Sequence, residues 1–289
     1  MKIVVIGKSG QLASELRKIL GDKAVFLGRN DIDICDRKQL ETSLSGHAPD
    51  AVINSSAYTA VDKAEDEPAE AHRINALGVK NLADICSKDG YFLVHVSTDY
   101  VFDGMKGSPY QPDDTIDPQG EYGKSKAEGE KALLSTLPDD SCLLRTAWVY
   151  SEFGNNFVKT MLRLMAEKPA LNVIDDQIGS PTWAKGLAEA CVFAAHNRIA
   201  GTYHWTDEGV ASWYDFAIAI QDLGISKGLL DRKIPVHPIP SSQYPTPAKR
   251  PHYSVLDKVS TRKAFADVGL KHWRKQLTDM MSSFQSEKQ

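Results

Sequence analysis

No two of the chain's four cysteines, Cys35, Cys86, Cys142 and Cys191, stand close enough for a C-x-x-C pair. That scatter suggests neither a zinc site nor a disulfide framework, and it suits a cytoplasmic, reducing compartment. An excess of positive charge is missing too. The 34 Lys and Arg face 38 Asp and Glu, for a formal net charge of −4. A nucleic-acid polymer is therefore not an expected partner, because it calls for a basic footprint. No apolar run approaches the roughly 18 residues needed to cross a bilayer, so no membrane partner is expected either. The apolar run at 1–7 is short for a signal peptide and reads better as a buried first strand. The eight histidines form no H-x-x-x-H or H-E-x-x-H pattern, which removes support for a metal hydrolase. A G-x-S-x-G elbow is also lacking, which argues against a serine hydrolase.

What the chain does have is alternation. β-Branched apolar runs at 2–7, 24–28, 51–57, 91–98 and 142–147 are separated by helical patterns at 11–20, 36–44, 69–88 and 122–134. Repeated βαβ units predict an α/β fold, a Rossmann-type doubly wound parallel sheet with helices on both faces. In such a sheet ligands bind at the carboxyl ends of the strands. After residue 150 the texture changes. A helix at 156–167, a strand at 171–174, a strand at 201–205 and a helix at 213–223 read as a smaller C-terminal substrate-binding lobe. The helix at 184–195 reads as a return to the core sheet. Six of the 14 prolines fall in 234–251, which predicts an extended or loop-like stretch. The expected division is thus a nucleotide-binding domain over 1–150, with a return of the chain near 183–200, and mainly the substrate lobe over 151–289.

The motifs follow the strands. Gly7-Lys8-Ser9-Gly10-Gln11-Leu12-Ala13 lies between the first strand and the first helix. A glycine-rich turn there lets backbone approach a pyrophosphate resting on the helix N-terminus. Its spacing is G-x-x-G-x-x-A, and Ala13 is small enough for close helix–strand packing. Arg29 follows the second strand, where a basic residue suits the 2′-phosphate of NADPH; Asp31, Asp33 and Asp36 nearby leave NADH equally open. Asp33 and Ile34 are placed to flank an adenine. Ala57, Tyr58 and Thr59 follow the third strand, where backbone passes the cofactor's ribose and phosphates. Thr98 ends the fourth strand, where a hydroxyl can meet a substrate carbonyl. Tyr122 and Lys126 stand four apart, on one helix face. A lysine beside a tyrosine favours the phenolate, which is expected to pull the phenol below its ordinary pKa of about 10. Such a pair can protonate the oxyanion formed when a carbonyl is reduced. Trp183, Trp205, Trp213 and Trp273 read as core residues, whereas Trp148 follows the fifth strand beside the expected site.

Together, Gly7–Ala13, the Thr98 strand end and Tyr122 with Lys126 resemble the extended short-chain dehydrogenase/reductases. Finer motifs are similar to the dTDP-4-dehydrorhamnose reductases: Val96-Ser97-Thr98-Asp99-Tyr100-Val101-Phe102-Asp103-Gly104, Arg145-Thr146-Ala147-Trp148-Val149-Tyr150, Gly154-Asn155-Asn156-Phe157-Val158, Asp176-Gln177-Ile178-Gly179-Ser180-Pro181-Thr182, the stretch from Ala57 to Glu65, and Arg250-Pro251. The resemblance runs from Met1 to about Phe284. It implies that NADPH or NADH reduces the 4-keto group of a dTDP-linked 4-dehydrorhamnose, a step in making sugar for surface polysaccharides such as lipopolysaccharide O-antigen. It implies a catalytic trio of Thr98, Tyr122 and Lys126, with Tyr122 as proton donor and Lys126 also on the nicotinamide ribose. Asp99, Tyr100, Trp148 and Asn156 match positions near the sugar, and Arg250 one near the diphosphate. Some members hold Mg²⁺ between two subunits of a homodimer. Glu15 and Glu189 match two such ligands, although 278–284 offers only Asp279, with Ser282 and Ser283 where another carboxylate is expected. Two solvated helix glutamates are the competing reading. Two other functions stay open: another nucleotide-sugar 4-ketoreductase, and a non-catalytic NADP-binding subunit resembling the regulatory partner of methionine adenosyltransferase.

Overall fold

The computed structural model describes residues 1–286. The chain begins with β1 (Ile3–Ile6), α1 (Gln11–Leu20), β2 (Ala24–Leu27), α2 (Arg37–His47) and β3 (Ala51–Asn54). Next come α3 (Val61–Asp66), α4 (Pro68–His72), α5 (Gly78–Asp89), β4 (Phe92–Thr98), α6 (Glu121–Thr136) and β5 (Ser141–Thr146). β1 and β3 are buried at every position, as strands covered on both faces must be. The expected helix at 69–88 is instead α4 and α5 joined through a π-helical turn at Arg73–Leu77. The extra residue turns Asn75 inward. Its side chain accepts from the Tyr58 N–H, donates to the Tyr58 carbonyl, and donates to Ser125 on α6. Three polar groups are satisfied there that a regular helix would leave facing elsewhere.

After β5 follow β6 (Val149–Tyr150), α7 (Phe157–Glu167), β7 (Leu171–Ile174), β8 (Ile178–Gly179), β9 (Thr182–Trp183), α8 (Ala184–Asn197) and β10 (Gly201–His204). The chain ends through β11 (Ala211–Ser212), α9 (Trp213–Ser226), β12 (Val236–Ile239), α10 (Val259–Ala264) and α11 (Trp273–Ser286). The main sheet has the order β10-β5-β4-β3-β1-β2, and every pair in it is parallel. The order reverses between β1 and β3, and a crevice opens at such a point. Within the proline-rich stretch, read as extended or loop-like, Val236–Ile239 is extended and pairs in parallel with β7. Pro238 fits there because this two-stranded sheet leaves each strand with a free edge.

Three large apolar cores follow from this layout, beside a smaller cluster of Val101, Phe102, Tyr110 and Leu256. One lies under α2, α5 and α6 on one sheet face, centred on Leu40, Leu82 and Leu133. The second, on the other face, packs α1 and α8 over Val5, Ile53 and Leu144. The third joins α7, α9 and α11 around Tyr150, Phe216 and Trp273. Caps set several helix starts. Asp36 accepts from the N–H groups of Lys38 and Gln39 at α2, and Ser212 with Asp215 forms a capping box at α9. Among the described residues no helix is long and apolar enough to cross a membrane.

Candidate active site

A cavity of about 1050 Å³ opens at the carboxyl ends of the strands, where the order reverses. Gly7 begins its floor. Its φ of +108° is one that side chains disfavour, and a Cβ there would lie 2.5 Å from Ser55 Oγ. α1 then follows its N-cap residue Gly10, which supplies no capping side chain, so its first N–H groups are free to face the cavity. With the partial positive charge of the helix N-terminus, they form an anion-binding pole. Gln11 and Leu12 line the same wall.

At the opposite wall stand Thr98, Asp99, Tyr100, Tyr122, Lys126 and Trp148. The end of β4 brings Thr98 out, and its hydroxyl donates to Asp99 Oδ1 at 3.0 Å. α6 can pack this close because Gly123 lacks a side chain: a Cβ there would lie 2.3 Å from the Tyr100 carbonyl oxygen. The Tyr100 and Tyr122 rings meet edge to face with centroids 5.6 Å apart. Lys126 is buried, and its Nζ donates to the Val96 carbonyl at 2.7 Å. Burial pulls the Lys126 ammonium down to about 8, with Glu130 opposing. Tyr122 departs from expectation. Burial pushes its phenol up to about 12, a hydrogen bond with Thr98 works the other way, and the Asp99 charge adds to the rise. Lys126 does not lower it, because its Nζ is turned to Val96. Tyr122 therefore keeps its proton at neutral pH, the form a proton donor needs. Burial also raises the Asp99 carboxyl to about 6 against the pull of Ser254 and Thr98. Ser97 Oγ and Thr146 Oγ1, at the ends of β4 and β5, line this wall with no hydrogen-bond partner. Buried hydroxyls left this way suit a site that receives a polar ligand.

The far end of the cavity is charged. Arg29, Asp33, Ile34, Ala57 and Thr59 line it, together with Lys8, Glu70 and Arg73. The Asp33 carboxylate accepts from the Cys35 N–H and from Arg73, which hold it below the usual carboxylate range. Lys8 pairs with Asp31. Lys8 and Ser9 sit inside the glycine motif, so their place was implicit in it. Arg73 carried no signal, because it comes from the helix between β3 and β4 and reaches the site only through the fold.

Over residues 1–286 the sequence matches the family described as RmlD substrate binding domain. The chain belongs to that family. A dTDP-4-dehydrorhamnose reductase of Aggregatibacter actinomycetemcomitans is 42% identical over 274 residues, spanning 91% of this chain and 93% of that protein. A solved structure of a dTDP-4-dehydrorhamnose reductase from Clostridium acetobutylicum is similar with a TM-score of 0.92 at 38% identity, covering 99% of this chain and 100% of the other. Another, from Bacillus anthracis in complex with NADP, has a TM-score of 0.91 at 32% identity and covers 98% and 99%.

Several residues that the RmlD resemblance singles out lie off the cavity wall. Tyr58 turns into the core and donates to Glu67. Asn156 caps α7 by accepting from Lys159, and its amide donates to Gln11 Oε1 at 3.0 Å. It touches the cofactor wall through Gln11. Arg250 is committed to Asp62 by two N–H···O bonds of 2.8 Å and lies beside Tyr100 in a small adjoining cleft. The two candidate magnesium ligands differ in setting. Glu15 is not solvated: it is 1% exposed and accepts from Ser151 Oγ and Trp183 Nε1. Glu189 is half-buried on α8. Among the described residues no group of three or more His, Cys, Asp or Glu is placed to hold a metal ion. The donors of a single chain do not fit a resident Mg²⁺.

Proposed function

We propose that this protein reduces the 4-keto group of dTDP-4-dehydro-L-rhamnose with NAD(P)H, giving dTDP-L-rhamnose. The observation that carries the reading is one continuous cavity. It joins the Gly7–Leu12 turn to Thr98, Tyr122 and Lys126. Bound NAD(P)H supplies the hydride that converts the C4 carbonyl to an alcohol. The residues supply everything else. The α1 N-terminus holds the pyrophosphate between its free N–H groups. Thr98 orients the carbonyl oxygen. Tyr122, which keeps its proton through neutral pH, gives it to O4 as negative charge builds there. Lys126 offers its ammonium to the nicotinamide ribose hydroxyls. Asp99, Tyr100 and Trp148 wall the sugar. At the far end Arg73 is paired with Asp33 and Glu70, and Lys8 with Asp31, so the preference for NADPH rests on Arg29, whose guanidinium suits a 2′-phosphate.

The test follows oxidation of NADPH and NADH with enzymatically generated dTDP-4-dehydrorhamnose, in the presence of Mg²⁺ or of chelator. Turnover with NADPH the better donor is expected. Turnover of other nucleotide 4-keto sugars but not of this one overturns the substrate. Tyr122→Phe should lose about 100- to 10,000-fold in kcat while NADPH affinity stays within a few-fold. An unchanged rate would remove Tyr122 as the donor, and activity in neither protein would leave a binding role. Sedimentation with and without Mg²⁺ reads the homodimer implied by the RmlD resemblance.

A further inference from the structure

His95 is fully buried on β4, and nothing in the proposed reaction uses it. Its ring bridges two polar groups. Nδ1 lies 3.1 Å from Asn54 Nδ2, and Nε2 lies 3.4 Å from Lys126 Nζ. Which nitrogen carries the proton follows from the next link in the chain. The Ser56 backbone N–H can only donate, and it reaches Asn54 Oδ1 at 3.1 Å. The Ser56 hydroxyl donates to the same oxygen at 2.7 Å. The Asn54 amide is thereby oriented with its NH₂ toward His95. An NH₂ group only donates, so His95 Nδ1 is the bare acceptor. Burial and the adjacent Lys126 charge hold the imidazole well below its ordinary pKa, so the ring is neutral. A neutral ring with a bare Nδ1 has its proton on Nε2, pointed at Lys126.

We propose that His95, locked as its Nε2–H tautomer by Asn54, is a positioning residue that loosens the hold of Lys126 on its proton. An amine at Lys126 can donate to the Val96 carbonyl and accept from the His95 Nε2–H. An ammonium has no lone pair and meets the positive end of that N–H. The other groups around Lys126 leave this bias in place. Glu130 lies one turn along α6 and favours the ammonium, but its carboxylate is committed to the buried Arg145 of β5. Tyr122, one turn before, presents a neutral phenol, and Asp99 lies beyond it, against the Thr98 hydroxyl. β3 contributes only the neutral Asn54. In turnover the consequence is proton return. Once Tyr122 has given its proton to O4, a proton must return to the phenolate. Nζ makes no bond to the phenol, so an ammonium that sheds its proton readily supplies it through intervening hydroxyls or water, and the amine left behind is stabilised by the Nε2–H until solvent returns a proton. That consequence rests on the proposed function, whereas the tautomer and its effect on Lys126 do not.

The experiment uses the full chain without cofactor. ¹⁵N spectra read which His95 nitrogen is protonated, and ¹³C-ε-lysine spectra titrate Lys126, assigned by loss of its signal in Lys126→Met. Wild type should carry the proton on Nε2. In Asn54→Asp the carboxylate should draw it to Nδ1, and the Lys126 midpoint should rise by about one unit. His95→Gln, which can turn its carbonyl oxygen to Nζ, should raise the midpoint as well. A proton on Nδ1 in wild type, or a midpoint that stays put in Asn54→Asp, overturns the proposal. A rise in Asn54→Asp also contains the pull of the added carboxylate, so where His95→Gln fails to fold the ¹⁵N spectrum of wild type, which carries no added charge, decides the tautomer. The basic limb of kcat/KM for the reductase should move with the midpoint. An inactive wild type would sink the reductase reading and leave the titration result standing.

Discussion

Lys126 is a cation placed where a cation is least welcome. It is 2% exposed, and burial draws its pKa from 10.5 to about 8. The folded chain thus holds this proton less tightly than the unfolded chain. The destabilisation is complete below pH 8 and disappears as pH rises through 10.5. A fall from 10.5 to about 8 corresponds to about 3 kcal/mol at 1.36 kcal/mol per unit. Lys126→Met should therefore be more stable than wild type at pH 7, by about 1–3 kcal/mol once the lost bond to Val96 is allowed for. The gain should shrink toward pH 10, and kcat should fall at least about 100-fold. Denaturant titrations at both pH values, with turnover measured alongside, check this; a variant equally unstable at both would show that the buried charge costs nothing. The spacing of Tyr122 and Lys126 was legible in the sequence, because i and i+4 share a helix face. The direction of the Tyr122 shift was not. It depends on where Nζ points and on how deeply the phenol sits, and both are set by strands far away in sequence. His95 gave no signal for a similar reason: a single histidine within an apolar strand reads as core until its two neighbours are known.

Gly123 decides at the element scale how close α6 comes to the turn after β4. A methyl group there would meet the Tyr100 carbonyl oxygen at 2.3 Å and Pro118 Cβ at 2.9 Å. Backbone on the far side cannot swing away as a side chain could, so either the helix or the turn must move. Both carry site residues, Tyr122 and Lys126 on one and Thr98 and Asp99 at the other. Gly123→Ala should cost about 1–3 kcal/mol of stability and lower kcat by about 10- to 100-fold through misplacement. Gly46 on α2 is the control, because a methyl there meets nothing within 4 Å. Gly46→Ala should stabilise by about 0.5–1 kcal/mol and leave turnover unchanged. Melting curves and kcat for the two variants separate the cases; equal behaviour would mean that α6 has slack. Some elements could be read directly. α1 at Gln11–Leu20 and β7 at Leu171–Ile174 fall where the apolar pattern and the flanking turn residues place them. α3 and α10 have six residues each, less than two turns, so no period could announce them. The π turn at Arg73–Leu77 answers to Tyr58 and Ser125, which lie outside the helix it interrupts. The candidate site divides the same way. Residues following strands were visible, whereas Arg73 arrives through the fold.

At the scale of the molecule, the sheet is tied to the third core by a buried carboxyl pair. Glu15 on α1 and Glu152 after β6 share Ser151 Oγ and Trp183 Nε1, and Lys18 pairs with Glu152 at the rim. Two carboxylates this close do not both ionise readily. Burial pushes Glu15 up to about 7, with Ser151 opposing and Glu152 adding to the rise, whereas Glu152 is held low by Lys18. The folded chain therefore binds the Glu15 proton more tightly than the unfolded chain, whose value is near 4.5. Its contribution is fully present below pH 4.5 and is lost as pH rises through 7. Asp207, raised by burial to about 7, works in the same window and direction. Glu15→Gln isolates the first group. Its amide oxygen still accepts from Ser151 and Trp183, and its NH₂ donates to Glu152. The variant should match wild type at pH 4.5 and exceed it at pH 8 by about 1–3 kcal/mol, with the slope that remains belonging to Asp207. Thermal unfolding from pH 4.5 to 8 gives the answer. A variant weaker than wild type at pH 8 would mean that the Glu15 carboxylate is stabilised from outside this chain's donors. Millimolar Mg²⁺ or a second subunit would be the source to examine, and melting with Mg²⁺ or chelator at two protein concentrations tells those apart.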